Sequence, residues 1–431
     1  MPYGGYVPLK KMPFRFQATI ICLLAALFYL YEFILQVSPN VISFDLMRDM
    51  QLQATGLGFL SASYFYAYMP VQFPAGLLHD RYGPRKMLTL MVIVCAIGAL
   101  LFSQGENLFT ITIGRAMMGF GSAFAFIGTL VLVSRWFPAA YFPIIAGIVQ
   151  AMSSVGAIIG SVPLAEAVKA YGWRTSLFTL ALVGFGLAVL IGAIVRDSPK
   201  GRMQVKHHNR GGQWRRLLTV CKCSQSWLIA LYAFTMWAPI TIFAELWGVA
   251  YLRQVYHYDV VLASSFITFI WIGIAVGSPS LGFFSQIIKR RCLPLYLMAS
   301  LGLVASLSII YPPFKLSSQW MCVCMFMLGL SASGCILTFS LVKENNAPGT
   351  VGSAIGLNNM MVVAGGAVLQ PLVGVILKSR WNGLMVDSAP VYSASAYQLG
   401  LLTIPVCYTV ALILALFAIR ETNCRSRVRS S

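Results

Sequence analysis

The sequence predicts an all-α membrane protein whose twelve transmembrane helices form two pseudo-symmetric six-helix bundles. Three observations carry that expectation. Of 431 residues, 58% are hydrophobic and only 10% charged, which is too apolar for a fold dissolved in water. Stretches close to the ~20 apolar residues that one helical crossing of a bilayer needs recur along the whole chain. Landmarks of the first half also return in the second at a nearly constant offset.

The apolar segments run over about 18–38, 55–78, 87–103, 108–133, 143–165, 175–195, 225–251, 261–285, 294–311, 319–342, 351–377 and 398–419. The first follows Lys10, Lys11 and Arg15. It is too long for a signal-peptide core and lacks a small-residue cleavage site, so it reads as a retained helix. The net charge of +19 would suit nucleic acid if it covered a folded face, but the cations lie in loops between spans, and nucleic acid is not an expected partner. With the N-terminus inside, 23 of the 31 Lys and Arg fall on the side of the termini and 7 on the opposite side, Arg115 alone lying within a span. This bias predicts a multi-pass inner-membrane protein with both termini in the cytoplasm. The ten cysteines fall in spans, basic loops or the tail, so a disulfide framework is not expected.

Segment 196–224 is the longest polar internal stretch, and it is basic, with Gly211 and Gly212. It reads as a cytoplasmic linker between an N-terminal bundle, 1–195, and a C-terminal bundle with its tail, 225–431. The adjacent His207 and His208 read as solvated loop, and no metal or other cofactor is expected. Gly76 to Lys86 follows the second span as Gly282 to Arg291 follows the eighth, an offset of 206. Gly147, Gln150 and Gly156 of the fifth span correspond to Gly356, Asn359 and Gly365 of the eleventh, an offset of 209. Such halves imply parallel repeats about an axis along the membrane normal.

Three charged side chains fall inside the spans: Glu32 in the first, Arg115 in the fourth and Glu245 in the seventh. A charge at mid-bilayer costs about 2.5 to 3.5 kcal/mol even on the lenient insertion scale, which marks it as a functional candidate. At 1.5 Å rise per residue, the span ends put each about 9 to 10 Å below the surface opposite the termini. Two acids facing one base predict an Arg115–Glu32 pair, leaving a carboxyl free to exchange a proton as solute moves. The alternative is an ion pair that only locks packing. Aromatic and amide residues nearby supply candidates for the solute pocket: Tyr29, Gln36, Tyr64 and Trp237. Gln150 and Asn359 join them because they occupy equivalent places in the repeat and a buried amide in a span needs partners. The tyrosines at 64, 66 and 68 alternate, so they cannot all face one cavity.

The loop Gly76-Leu-Leu-His-Asp80-Arg81-Tyr-Gly83-Pro-Arg85-Lys86 combines glycines for a tight turn, an acid that can cap or pair, and cations that can meet anionic headgroups. It resembles the G-x-x-x-D-R-x-G-R-R loop of the major facilitator superfamily, with Pro84 and Lys86 as departures. Arg115-Ala-Met-Met-Gly119-Phe-Gly121 is similar to that family's R-x-x-x-G-x-G motif. The resemblance implies a secondary transporter, not an enzyme, that works as a monomer and has its first, fourth and seventh helices lining one cavity. It implies a gating role for Gly76, Asp80, Arg81, Gly83 and Arg85, with Asp80 latching the cytoplasmic side through Arg135. Phe28-Tyr29-Leu30-Tyr31-Glu32 and Ser134-Arg135-Trp136-Phe137-Pro138 resemble nutrient transporters of bacteria that live in phagosomes and, more distantly, organic-anion symporters. Gly147, Gly156 and Gly160 resemble the antiporter motif of drug exporters but lack its Gly-Pro and later Gly-Gly. The implied function is proton-coupled uptake of a small polar nutrient, such as an amino acid, short peptide or organic acid, by alternating access in a lipid membrane. The alternative is a proton-driven exporter of a drug or siderophore. The four histidines form no H-E-x-x-H or similar catalytic cluster.

Overall fold

The computed structural model describes residues 16–138, 142–199, 219–312, 316–347 and 350–425. Eleven helices among them are long and apolar enough to cross a membrane. In crossing order they are the first (Phe16–Asp49), third (Pro84–Gln104), fourth (Leu108–Trp136), fifth (Ile145–Tyr171), sixth (Trp173–Ile194), seventh (Ser224–Tyr256), eighth (Val260–Ile288), ninth (Cys292–Ile310), tenth (Ser318–Asn345), eleventh (Val351–Ser379) and twelfth (Ala394–Ala418). The second crossing is assembled from two shorter helices, Ala54–Tyr68 and Gln72–Tyr82, joined by a 3₁₀ turn at Met69–Val71. Pro70 sits in that turn, and its missing N–H cannot continue the helical ladder. Twelve crossings result, as the sequence predicts.

Several helices overrun their predicted ends. The first continues through Ser38, Pro39 and Asn40 to Asp49, and the seventh runs to Tyr256. This stretch looks like a membrane exit, yet its two polar side chains find partners inside the protein: Ser38 Oγ donates to Leu35 O at 2.9 Å and Asn40 Nδ2 to Ala244 O at 2.7 Å. Pro39, buried within the same helix, has no N–H to leave unpaired. Glu32 therefore lies near the middle of a 34-residue helix, deeper than the predicted span ends imply.

Glycines set how closely the helices approach. A Cβ on Gly119 of the fourth helix would collide with the Tyr64 main-chain carbonyl, and one on Gly329 of the tenth would collide with that of Ile270. These are matching contacts in the two halves. Across the halves, a Cβ on Gly58 would stand 2.8 Å from Gln370 O, and Thr55 Oγ1 donates to Gly374 O at 3.2 Å. The second and eleventh helices thus meet almost backbone to backbone on the side away from the termini, hereafter the far side. A two-stranded hairpin between the last two helices, Met385–Val386 with Ala389–Pro390, brings Tyr392 onto this seam, where its hydroxyl accepts from Ala54 N at 2.7 Å.

On the side of the termini, each half carries a clasp. In the first half, Gly83 has φ +85°, a conformation that glycine adopts without strain, and a Cβ there would meet the Asp197 carboxylate. Asp197 Oδ1 accepts from Arg85 N at 2.8 Å, while Arg85 Nε donates to Gly192 O at 2.9 Å in the last turn of the sixth helix. In the second half, 206 residues on, Arg291 N donates to Glu421 Oε1 at 2.8 Å. Arg291 also forms a shielded ion pair with Glu344, 2.7 Å long. Burial pushes the Glu421 carboxyl up, but main-chain N–H groups of Arg291, Cys292, Asn423 and Thr422 outweigh it and hold the carboxyl below its usual range. Its contribution is therefore present above the unfolded-chain pKa and is lost as pH falls through the lowered one. Breaking a buried pair from one side costs about 3 to 5 kcal/mol. Arg291→Leu should accordingly lower the melting temperature in detergent strongly, and adding Glu344→Leu should recover much of the loss. Equal melting temperatures for wild type and Arg291→Leu would refute this.

Candidate functional site

The three intramembrane charges are brought to one place, and none of them reaches solvent: Glu32 is 0%, Arg115 1% and Glu245 0% exposed. The expected Arg115–Glu32 ion pair, however, is not formed. Arg115 donates instead to two main-chain carbonyls of the first helix, Nη1 to Leu35 O at 2.6 Å and Nη2 to Gln36 O at 2.7 Å. The cause is Pro39. Its missing N–H leaves the carbonyl four residues earlier, Leu35 O, without a helical donor, and a guanidinium with five donors in a rigid fork suits adjacent carbonyls.

Glu32 is connected to Arg115 through an aromatic ring. Tyr64 Oη donates to Glu32 Oε2 at 3.0 Å, and the Arg115 guanidinium stands 4.6 Å from the centre of the same ring, within cation–π range. On the other flank, Gln36 Nε2 donates to Glu245 Oε1 at 3.0 Å and ties the first helix to the seventh. Glu245 lies in a π-helical turn, Phe243–Trp247, a local register change frequent at functional sites. Each carboxylate keeps one buried oxygen without a partner, Glu32 Oε1 and Glu245 Oε2, and so does Arg115 Nε. Buried polar atoms left unsatisfied are costly, and the cluster keeps the capacity for further hydrogen bonds at these three atoms.

The remaining candidates divide. Tyr29 is buried, packs edge-on against Phe33 at 5.3 Å between ring centres and faces Gln150 and Ser153 of the fifth helix. Gln150 Nε2 itself donates to Ser153 Oγ at 3.3 Å. Tyr64 stacks on Tyr68 at 5.9 Å, while Tyr66 is exposed, as their alternation requires. Asn359 Nδ2 donates to Gln72 Oε1 at 2.9 Å, joining the eleventh helix to the second across the halves. Trp237 is partly buried against the apolar core. Among the gating candidates, Gly76 has, of the described residues, only Ile127 within 4 Å of where a Cβ would be. Arg81 lies over the ring of its neighbour Tyr82 at 5.0 Å. Gly83 and Arg85 belong to the clasp with Asp197. The side chain of Asp80 lies outside the described residues, so its expected latch to Arg135 does too. In the second half the place of Arg135 is taken by Glu344, 209 residues on, and it pairs with a base.

Asn40, Gln72 and Asp197 are absent from the candidates that the sequence yields. Asn40 could have been found by the rule applied to Gln150 and Asn359, had the first span been extended past Pro39.

Comparison with known proteins agrees with this architecture. The family model described as Major Facilitator Superfamily matches residues 20–371. A probable sulfoacetate transporter of Cupriavidus necator is 24% identical over 317 residues, covering 68% of this chain and 70% of that protein. A lysosomal dipeptide transporter of Homo sapiens is 21% identical over 431 residues, covering 94% and 89%. Among solved structures, a bacterial homologue of the human lysosomal transporter Spinster, inward-facing and unoccupied, superposes with a TM-score of 0.75 at 15% identity, over 94% of this chain and 96% of that one. The multi-pass, twelve-crossing chain belongs to the Major Facilitator Superfamily and is a transporter.

Proposed function

We propose that the protein is a secondary active importer that couples the inward movement of protons to that of a small carboxylate-bearing nutrient by alternating access, with both termini in the cytoplasm of the inner membrane. The observation that carries this reading is the buried cluster of Glu32, Arg115 and Glu245, in which each acid retains one unpartnered oxygen. Arg115 is held by carbonyls, so neither carboxylate is committed to it. Protonating either one changes the charge of the centre without breaking an ion pair, and this suits an intramembrane coupling group. Tyr64 and Gln36 transmit such a change to Arg115 and to the seventh helix. The relatives support a carboxylate-bearing solute, since one is a probable sulfoacetate transporter and another a dipeptide transporter. Arg115 is the cation such a solute would meet. Gly156 and Gly160 pack against Leu30 and Ile34 of the first helix, so close helix packing accounts for them without an export role.

Thermal-shift screening of the purified protein against organic acids, sulfonates, amino acids and dipeptides should identify a stabilising solute. Its radiolabelled form should then accumulate in proteoliposomes down an imposed proton gradient. Glu32→Gln and Glu245→Gln should each still bind the solute but lose at least about tenfold of gradient-driven uptake, because a carboxamide cannot carry the proton. Uptake with wild-type pH dependence in both variants would refute the coupling role, and solute efflux driven by the same gradient would reverse the direction proposed.

A further inference from the structure

We infer that Asn40 is a positioning residue for Glu245: its carboxamide is spliced into the main chain of the seventh helix and fixes where Glu245 points whenever the far side is shut. The seventh helix changes register over Phe243–Trp247, and Gly248 N donates to Phe243 O, five residues back. In an α-helix that N–H would serve Ala244 O. Ala244 O is left without its donor, and Asn40 Nδ2 supplies one at 2.7 Å. Val249 N, on the other side of the turn, donates to Asn40 Oδ1 at 3.0 Å. One amide from the first half therefore bridges the hydrogen-bond ladder of a helix in the second half. Insertion of a side chain into a helical ladder is a recognised origin of a local bend.

Two consequences follow from the geometry. Parting the halves on the far side withdraws Asn40, yet the seventh helix need not keep two orphaned groups, because a return to α register lets Gly248 N serve Ala244 O and Val249 N serve Glu245 O. The element thus has two satisfied arrangements, as a reversible switch requires. The return also shifts the register by one residue, a turn of about 100° around the helix axis. That rotation carries Glu245 away from Gln36 and the Arg115 face. Far-side closure and the orientation of Glu245 are then one event, with Asn40 as the part that links them. This rests on the alternating access proposed above.

The experiment needs neither solute nor proton gradient, so a failure of coupling in uptake assays leaves it readable. Ser43 is buried one turn beyond Asn40 on the same face, and Ser43→Cys changes little in volume. In nanodiscs, the rate at which a bulky water-soluble maleimide labels this site, above the background of the native cysteines, reports far-side opening. Asn40→Ala removes two neutral hydrogen bonds that exist only in the closed form, so labelling should rise on the order of tenfold. Glu245→Gln should raise it less, and the double variant should be no more reactive than Asn40→Ala, because groups that act through one another are not additive. If Asn40→Ala does not yield folded protein, Asn40→Asp keeps the acceptor for Val249 N and should give a smaller rise. Unchanged labelling in a folded Asn40 variant, or effects of Asn40→Ala and Glu245→Gln that multiply in the double variant, would overturn the inference.

Discussion

Arg115→Met is expected to be the most destabilising single change within the charged centre. The substitution keeps the length of an apolar stem but removes both guanidinium donors, one from Leu35 O, which retains Ser38 Oγ, and one from Gln36 O. Each hydrogen bond lost from a charged group costs about 1.5 to 3 kcal/mol, and two buried acids are then left with no cation. A loss of about 3 to 6 kcal/mol should appear as a large fall in the melting temperature of the detergent-solubilised protein. Arg115→Lys should fall between, since an ammonium keeps the charge but reaches fewer carbonyls and cannot lie flat on Tyr64. A methionine variant as stable as wild type would mean that the carbonyl contacts carry no weight.

The second large effect lies at the helix crossings. At Gly119 the neighbour of an added Cβ is the main-chain carbonyl of Tyr64, which cannot rotate away as a side chain could. Gly119→Leu should therefore cost more than the roughly 1 to 3 kcal/mol of ordinary overpacking, and little folded protein should survive gel filtration. Gly329→Leu should fail in the same way, because Ile270 O stands in the equivalent place. Gly147 is the contrast. Among the described residues no atom of another element lies within 4 Å of its added Cβ, and Gly147→Ala should be neutral or stabilising by up to about 1 kcal/mol through helix propensity. Normal yields of Gly119→Leu would refute the packing argument.

Much of this architecture is legible in the sequence because a bilayer imposes a coarse rule: apolar length decides what crosses. That rule finds the twelve crossings and singles out Glu32, Arg115 and Glu245 by their cost in lipid. It does not find the ends of helices that continue inside protein. Ser38, Pro39 and Asn40 satisfy their polar groups within the fold, and hydropathy cannot distinguish that from satisfaction by water. The partner of Arg115 was illegible for a related reason. Charge pattern points to Glu32, but a carbonyl released by a proline carries no letter of its own in the sequence. Asp197 was hidden because it stands at the edge of a basic linker, where its charge reads as solvated until Gly83 and Arg85 are seen against it. Residue type and span position suggest Tyr64 for a pocket, and they carry no sign that its hydroxyl meets Glu32 while its ring meets Arg115.

Glu245 of the second half faces the neutral amide of Gln36 at 3.0 Å, whereas the first half contributes both Glu32, against the Tyr64 hydroxyl, and the cation Arg115. Two scaffolds of similar shape thus present unlike chemistry to the space between them. A small molecule lodged there would find its head and tail already assigned, and turning end for end would not give an equivalent fit.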